Sequence, residues 1–339
     1  MPESRLPPSP ISDGFLDAHT DAWVLSRYAD VLMALGDKRL YPTDPQFSDP
    51  KHVLAERQRL ENRRATIEAL APAKLAEWRG EMQPFACDLL EKVPTNQPVD
   101  LVEAFLRPWC LRLATIVTDT NPSDADRLCA LAKQVSLATA KPGIPALRTE
   151  ASNATALMQP HFQSGPQSLR ESGFVALSQT LPCFLANVWH ALFSSPSAGD
   201  SLRLFPDLLP RAIEELIRVT SFSRTIYRIA VDDVQINGFT IARGQRAILR
   251  LNGANMDPAQ FDSPEQLNLG RSPVRHLSFG SGPHSCTGAS LIRMAAIVVT
   301  GELLKNTSRV DLCGPTVWEG GAGFQWPEPL VVCLTGEKG

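Results

Sequence analysis

Residues 279–288 read FGSGPHSCTG and hold residue types suited to metal chemistry. Cys286 follows a glycine-rich turn and opens an apolar helical run over residues 287–304. Gly280, Gly282 and Gly288 permit backbone angles that other residues avoid, so the loop can aim peptide N–H groups at the sulfur. The positive end of the following helix adds to that field and favours thiolate over thiol. A thiolate held in this way suits a haem iron, as an axial ligand that pushes electron density toward O–O cleavage. A buried free cysteine beside a turn is the ordinary alternative for any lone cysteine. The spacing of phenylalanine, glycines, histidine and cysteine is too specific for that alternative.

A second constellation lies upstream. Glu215 and Arg218 in EELIR stand three apart and share a helix face. Alone they would be a surface pair contributing about 0.2–0.5 kcal/mol. Toward the N-terminus, Arg57, Arg59, Arg63 and Arg64 form a basic run. It reads as a solvated face or as a dock for an acidic electron-transfer partner, acting through steering more than tight contact.

Elements must position these groups. Phe174, Leu177, Leu181, Phe184, Leu185, Val188 and Leu192 recur at helical spacing, which predicts a long buried helix. Within it, Pro182 has no N–H to offer the carbonyl of Ser178, so a kink and an open carbonyl near Thr180 are expected. Pro206 and Pro210 lead into a helix over residues 211–219. Residues 234–241, VQINGFTI, alternate around Asn237-Gly238 and predict a hairpin. Strands are expected at residues 247–251 and 330–334, and residues 22–40 pass from a strand into a helix. Helical patterns dominate residues 52–120. Residues 121–172, with Pro142, Gly143, Pro145, Pro160 and Pro166, read as irregular.

The chain has 339 residues, 43% of them hydrophobic, enough for a large core. A formal net charge of −3 gives no electrostatic case for nucleic acid or a membrane surface. Seven scattered cysteines (Cys87, Cys110, Cys129, Cys183, Cys286, Cys313 and Cys333) form no close pair in sequence, so neither a disulfide framework nor a zinc site is expected. The proline-rich, polar start lacks the apolar core of a signal peptide, and residues 1–14 read as a flexible tail. No stretch is apolar enough to span a bilayer. A reducing, cytoplasmic setting and one domain over residues 1–339 follow as expectations.

The loop around Cys286 resembles the cysteine-ligand loop of the cytochrome P450 family. EELIRVTSFSRTIYRIAVDDVQINGFTIARG, residues 214–244, resembles that family's stretch from its Glu-x-x-Arg helix through the following hairpin. The resemblance, to bacterial soluble members, runs from Trp23 to the C-terminal strand. It implies a mainly α, single-domain fold with small β-sheets and a shortened substrate roof. It also implies haem b with Cys286 as thiolate ligand, bordered by Phe279 and Gly280. Glu215 and Arg218 take the role of a structural clamp. Gln266 stands where the third clamp member is often arginine, and Arg271 is near enough to substitute. Arg228 matches the arginine on a haem propionate, where a planar fork can give two donors. His276 and His284 match positions facing the propionates. Arg63 matches a second propionate arginine, with Arg59 in place of a histidine.

On the distal side, ALSQT, residues 176–180, stands on the family's Ala/Gly-Gly-x-acid-Thr motif. Thr180 matches the hydroxyl that binds oxygen and helps deliver protons. Leu177 replaces a glycine and Gln179 replaces the acid; glutamine can position a water but cannot itself cycle a proton. Arg224 is read either as a contact for a polar or anionic substrate group or as a surface arginine. The implied function is a haem-thiolate monooxygenase of secondary metabolism. It would oxidise a small organic substrate, free or carrier-bound, with O2 and two electrons from a separate ferredoxin or flavodoxin. The missing acid keeps two rivals open. One is a peroxide-using or non-oxygenase haem-thiolate enzyme (rearrangement, dehydration, coupling); the other is a degenerate haem-binding or partner-recruiting module.

Overall fold

A computed structural model describes residues 11–42, 61–140, 144–162, 169–321 and 323–336. Arg57 and Arg59 lie outside the described residues.

One long helix organises the core, in three consecutive pieces: Glu171–Val175, a wider π-helical turn Ala176–Thr180, and Leu181–Phe193. The last piece, LPCFLANVWHALF, is buried nearly all round, as a helix with apolar residues on every face must be. Trp189 packs its ring 5.5 Å from Phe105 and donates from Nε1 to Thr300 Oγ1 at 3.0 Å. That bond fixes the core helix against the helix Ala289–Asn306, which follows the cysteine loop.

At Pro182, where a kink is expected, the helix carries a π turn. Among the described residues two π turns occur, Val102–Leu106 and Ala176–Thr180, and each ends one residue before an X-Pro pair, Arg107-Pro108 and Leu181-Pro182. The N–H that opens the next helix reaches five residues back, Arg107 to Val102 and Leu181 to Ala176. A proline cannot donate to the carbonyl four residues earlier, and one extra residue in the turn shifts the ladder past that gap.

A five-stranded sheet lies beside the helical core, in the spatial order Phe15–Asp17, Ala22–Leu25, Arg246–Arg250, Thr225–Ala230, Leu40–Pro42. Strands Val234–Ile236 and Phe239–Ile241 form the expected hairpin, with φ of 32° at Asn237 and 96° at Gly238. Strand Val331–Thr335 pairs with both Pro98–Asp100 and Arg309–Leu312.

Two expectations need correction. The segment read as irregular holds two helices, Ala125–Ala140 and Pro145–Met158, packed against each other. Pro145 starts a helix at its first turn instead of breaking one. Leu128, Ala132, Ala154 and Met158 are the buried residues that hold the pair down. The tail expected to be flexible is also docked where it is described. Ser12 N–H donates to Ser26 Oγ at 2.9 Å, and Gly14 sits so close to the Phe239 ring that a Cβ would not fit.

Candidate active site

Glycine shapes the cysteine loop. Gly280 and Gly282 adopt φ of +68° and +69°, in the left-handed region. At Gly282 a Cβ would meet the Leu35 carbonyl oxygen at 2.6 Å, so the loop lies backbone to backbone on the end of the helix Tyr28–Gly36. Cys286 N–H donates to the Phe279 carbonyl at 2.8 Å, closing the turn and leaving the side chain exposed. Although the side chain reaches solvent, the protein packed around the loop desolvates the sulfur and pushes the thiol up from its ordinary value; the Gly288 N–H and the charges of Arg63 and Arg293 pull it back in part. The loop N–H that the sequence leads one to expect at the sulfur is therefore in place, and so are the two cations.

Of the expected neighbours, Arg63 is brought to the loop. Its Nη1 donates to the Ser285 carbonyl at 2.6 Å and its Nη2 to Ser285 Oγ at 2.8 Å, one residue before Cys286. Arg228 is buried on the strand Thr225–Ala230 and donates from Nη1 to the Tyr227 carbonyl at 2.9 Å. The neighbouring strand Leu40–Pro42 sets Pro42 opposite Arg228 and carries Tyr41, whose ring meets His284 at 5.9 Å. The sheet thus reaches the cysteine loop through His284.

His276 takes a different place from the expected one. Its Nε2 lies 3.2 Å from Glu214, its Nδ1 faces the Ser278 N–H, and its ring packs on Phe279. Arg293 grips the same carboxylate through Nε and Nη2 at 2.6 and 2.9 Å and lies over the Phe279 ring. Burial opposes charge on Glu214, but the contacts from His276 and Arg293 overcome it and bring the carboxyl down to about 2. A carboxyl depressed from 4.5 stabilises the fold fully above that pH and loses its contribution as pH falls toward 2. By linkage this is worth about 3 kcal/mol at neutral pH. Glu214→Gln should therefore be less stable than the parent at neutral pH, with the gap closing on acidification. Unfolding midpoints at a series of pH values check this; parallel curves would count against it.

The clamp forms as expected and is more extensive than the sequence shows. Arg218 Nε and Nη2 donate to the two Glu215 oxygens at 2.8 Å each, and both side chains are 0% exposed. Arg218 Nη1 also donates to the carbonyls of Asn255 and Pro264, at 2.8 and 2.7 Å. Arg271 supplies the third member, 3.1 Å from Glu215, while Gln266 offers only its carbonyl. Asn255 was not legible in the sequence. Its amide donates to Ser221 and Ser278 and its Oδ1 accepts from the Leu277 N–H, tying the clamp helix to the cysteine loop. Those partners lie 22 to 34 residues away, so no local pattern marks it.

On the distal side, Thr180 is half-buried, and among the described residues no hydrogen bond engages its hydroxyl. A helical threonine commonly bonds the carbonyl four residues back, as Thr118 and Thr155 do here. For Thr180 that carbonyl, Ala176, instead receives the Leu181 N–H of the π turn. Gln179 departs from expectation. Its Nε2 lies 3.1 Å from Cys129 Sγ and 3.3 Å from the Cys129 carbonyl, so it ties the core helix to the helix Ala125–Ala140. One turn past Thr180, Phe184 sits 6.0 Å from Phe279 of the cysteine loop and 5.9 Å from Phe222. Phe222 in turn meets Phe324 at 5.2 Å, beside Arg224, whose N–H donates to the Gly323 carbonyl. Arg224 is buried, which removes the surface-arginine alternative.

The family model for cytochrome P450 matches residues 206–310, from the start of the clamp helix through the cysteine loop and its helix. Over 93% of its length the chain is 26% identical to the beta-dihydromenaquinone-9 omega-hydroxylase of Mycobacterium tuberculosis, covering 72% of that protein. The chain belongs to the cytochrome P450 family. This cytochrome P450 is also 27% identical, over 92% of its length, to the mycinamicin IV hydroxylase/epoxidase of Micromonospora griseorubida, covering 89% of it. The structure of P450BioI in complex with hexadec-9Z-enoic acid ligated acyl carrier protein shares its fold. The TM-score is 0.81 at 24% identity, covering 93% of this chain and 92% of that one. The P450 is an oxidoreductase of a family that carries haem on a cysteine thiolate, and its relatives are named as hydroxylases, epoxidases and monooxygenases. No helix among the described residues is long and apolar enough to cross a membrane.

Proposed function

We propose that this P450 binds haem b through Cys286 and inserts one oxygen atom of O2 into a small organic substrate. The observation that carries this reading is the exposed Cys286 thiol on a loop fixed by the clamp and by Arg63. The residues present fit the group. A thiol is accessible on one side, aromatic surface from Phe279 and Phe184 borders it, and Arg63 on the loop, His284 in it and Arg228, buried on the strand beside Leu40–Pro42, are the groups to meet propionate carboxylates. His276 is left out of the propionate set because Glu214 holds it. Bound haem supplies O2 activation with two electrons, delivered by a separate ferredoxin or flavodoxin.

The protein's own groups then have distinct tasks. Thr180, with its hydroxyl left open by the π turn, accepts a proton from water and passes it toward the pocket. Gln179 holds the helix Ala125–Ala140 through Cys129, which takes its Nε2 out of the proton relay. Phe222, Phe324 and Phe184 exclude water from the apolar side of the substrate. Arg224, buried beside them, suits a substrate with a polar or anionic group. The carrier-bound fatty acid of the P450BioI complex supports a substrate delivered on a carrier protein as one form of this reading.

The test is spectroscopic and kinetic. The reduced protein with CO should show the strongly red-shifted band of a thiolate-ligated haem, and a ferredoxin system with O2 should support turnover. Thr180→Val should keep that band yet lower product formed per electron consumed by about tenfold. That lies below the roughly 10²–10⁴ of a positioned acid–base group, because water can partly replace the hydroxyl. Turnover with peroxide alone, unaffected by Thr180→Val, would replace this reading with the peroxide-using one.

A further inference from the structure

Two cysteines twenty residues apart in sequence meet on the C-terminal sheet, far along the chain from the loop that holds Cys286. Strands Arg309–Leu312 and Val331–Thr335 are antiparallel, with Asp311 opposite Cys333 and Leu312 opposite Val332. The next bond of the ladder, from Cys313 N–H to the Val331 carbonyl at 2.9 Å, sets Cys313 opposite Val331. Cys313 and Cys333 are therefore diagonal neighbours on one face of the pair. The two thiols are close enough to influence each other, Cys313 Sγ donates to the Asp311 carbonyl at 3.7 Å, and both side chains are half-buried, within reach of a small oxidant.

Burial, Cys333 and Asp311 push the Cys313 thiol up from its ordinary value, as burial does for Cys87, Cys110 and Cys183, so it is the strand geometry that sets this pair apart. Cys110 and Cys183 are near each other but buried, and burial pushes the Cys183 thiol up to about 12. Cys87 donates to the Glu302 carboxylate, and burial together with that carboxylate raises its thiol to about 11. Cys129 faces Gln179. We propose that Cys313 and Cys333 are a modification site, closing a reversible intramolecular disulfide when the protein meets a hydroperoxide.

The chemistry balances with hydrogen peroxide as oxidant. One thiolate attacks the O–O bond and becomes a sulfenic acid as hydroxide leaves and is protonated to water. The second thiolate attacks that sulfur, the S–S bond forms, the S–O bond breaks, and a second water leaves. Two thiols and one peroxide give one disulfide and two waters. Diagonal neighbours on antiparallel strands stand about 7–8 Å apart at Cα, against the 7 Å or so that a disulfide spans. Cys313 is one residue past its strand end and precedes Gly314 at φ +74°, so a small local shift suffices. The bond would close a ring over residues 313–333, which carries Phe324 and Trp326 against Phe222.

Residues 310–338 contain no internal arginine or lysine, whereas Glu319 and Glu328 lie between the two cysteines. The haem-loaded protein is treated with a small excess of hydrogen peroxide, alkylated under denaturing conditions, and digested. The tryptic fragment of residues 310–338 should lose two hydrogens and resist alkylation. After cleavage at glutamate the Cys313 and Cys333 fragments should remain joined until a thiol reductant releases them. Cys313→Ala and Cys333→Ala should each abolish the linkage. Recovery of both cysteines alkylated, their conversion to sulfinic acids, or a bridge between other cysteines would overturn the proposal.

Discussion

Arg218→Met should destabilise this P450 by about 3–5 kcal/mol, the usual cost of stranding one partner of a buried ion pair. Glu215 and Arg218 are both 0% exposed, so water cannot take over the lost bonds. The substitution also strands the Asn255 and Pro264 carbonyls, which accept from Arg218 Nη1. Arg271 still reaches Glu215, which places the expected loss toward the lower end of the range. Since a domain's whole stability is only about 5–15 kcal/mol, the variant should unfold at markedly lower urea and lose haem first. Asn255 carries the effect to the site, because it bonds both Leu277 and Ser278 at the entrance to the cysteine loop. Arg271→Gln should cost less, about 1–2 kcal/mol, since Glu215 keeps Arg218 and the two bonds lost, to Glu215 and to the Asp262 carbonyl, lie nearer the surface. Urea midpoints check both variants; an Arg218→Met protein within experimental error of the parent would refute the clamp.

Cys286→Ser should abolish the red-shifted ferrous–CO band and turnover while leaving the fold intact. The side chain is exposed and its own N–H, not its sulfur, closes the turn to Phe279. Replacing it should therefore change stability by no more than about 0.5 kcal/mol, as at most exposed positions. The loss would be one of ligand chemistry, because serine is a far weaker electron donor to a haem iron than thiolate. Circular dichroism and urea unfolding matching the parent, together with a blue-shifted CO complex, is the expected pair of results. A retained thiolate-type band would show that another cysteine is the ligand.

Parts of this protein are legible one segment at a time. The Asn237-Gly238 hairpin, the buried run from Phe174 to Leu192 and the glycines beside Cys286 are local signals, and each takes its expected form. The Glu215 and Arg218 pair is visible as well, but the sequence gives no sign that Asn255, Pro264 and Arg271 converge on it. Prolines misled in residues 121–172, where Pro145 begins a helix that its neighbours bury. They informed at Pro182, where a missing donor did alter the helix, as a π turn.

His276 and Gln179 show why resemblance by position has limits. Each stands at a motif position, yet Glu214 and Cys129 hold them, and those partners come from other helices. The pairing of Cys313 with Cys333 is likewise a matter of strand register. The sequence by itself determined the family, the cysteine loop and the clamp pair, because glycine angles and helical spacing are properties of adjacent residues. Only the tertiary structure decided which polar groups stay open. The Thr180 hydroxyl does, and the Gln179 Nε2 does not, because a buried polar group takes the nearest partner that packing presents.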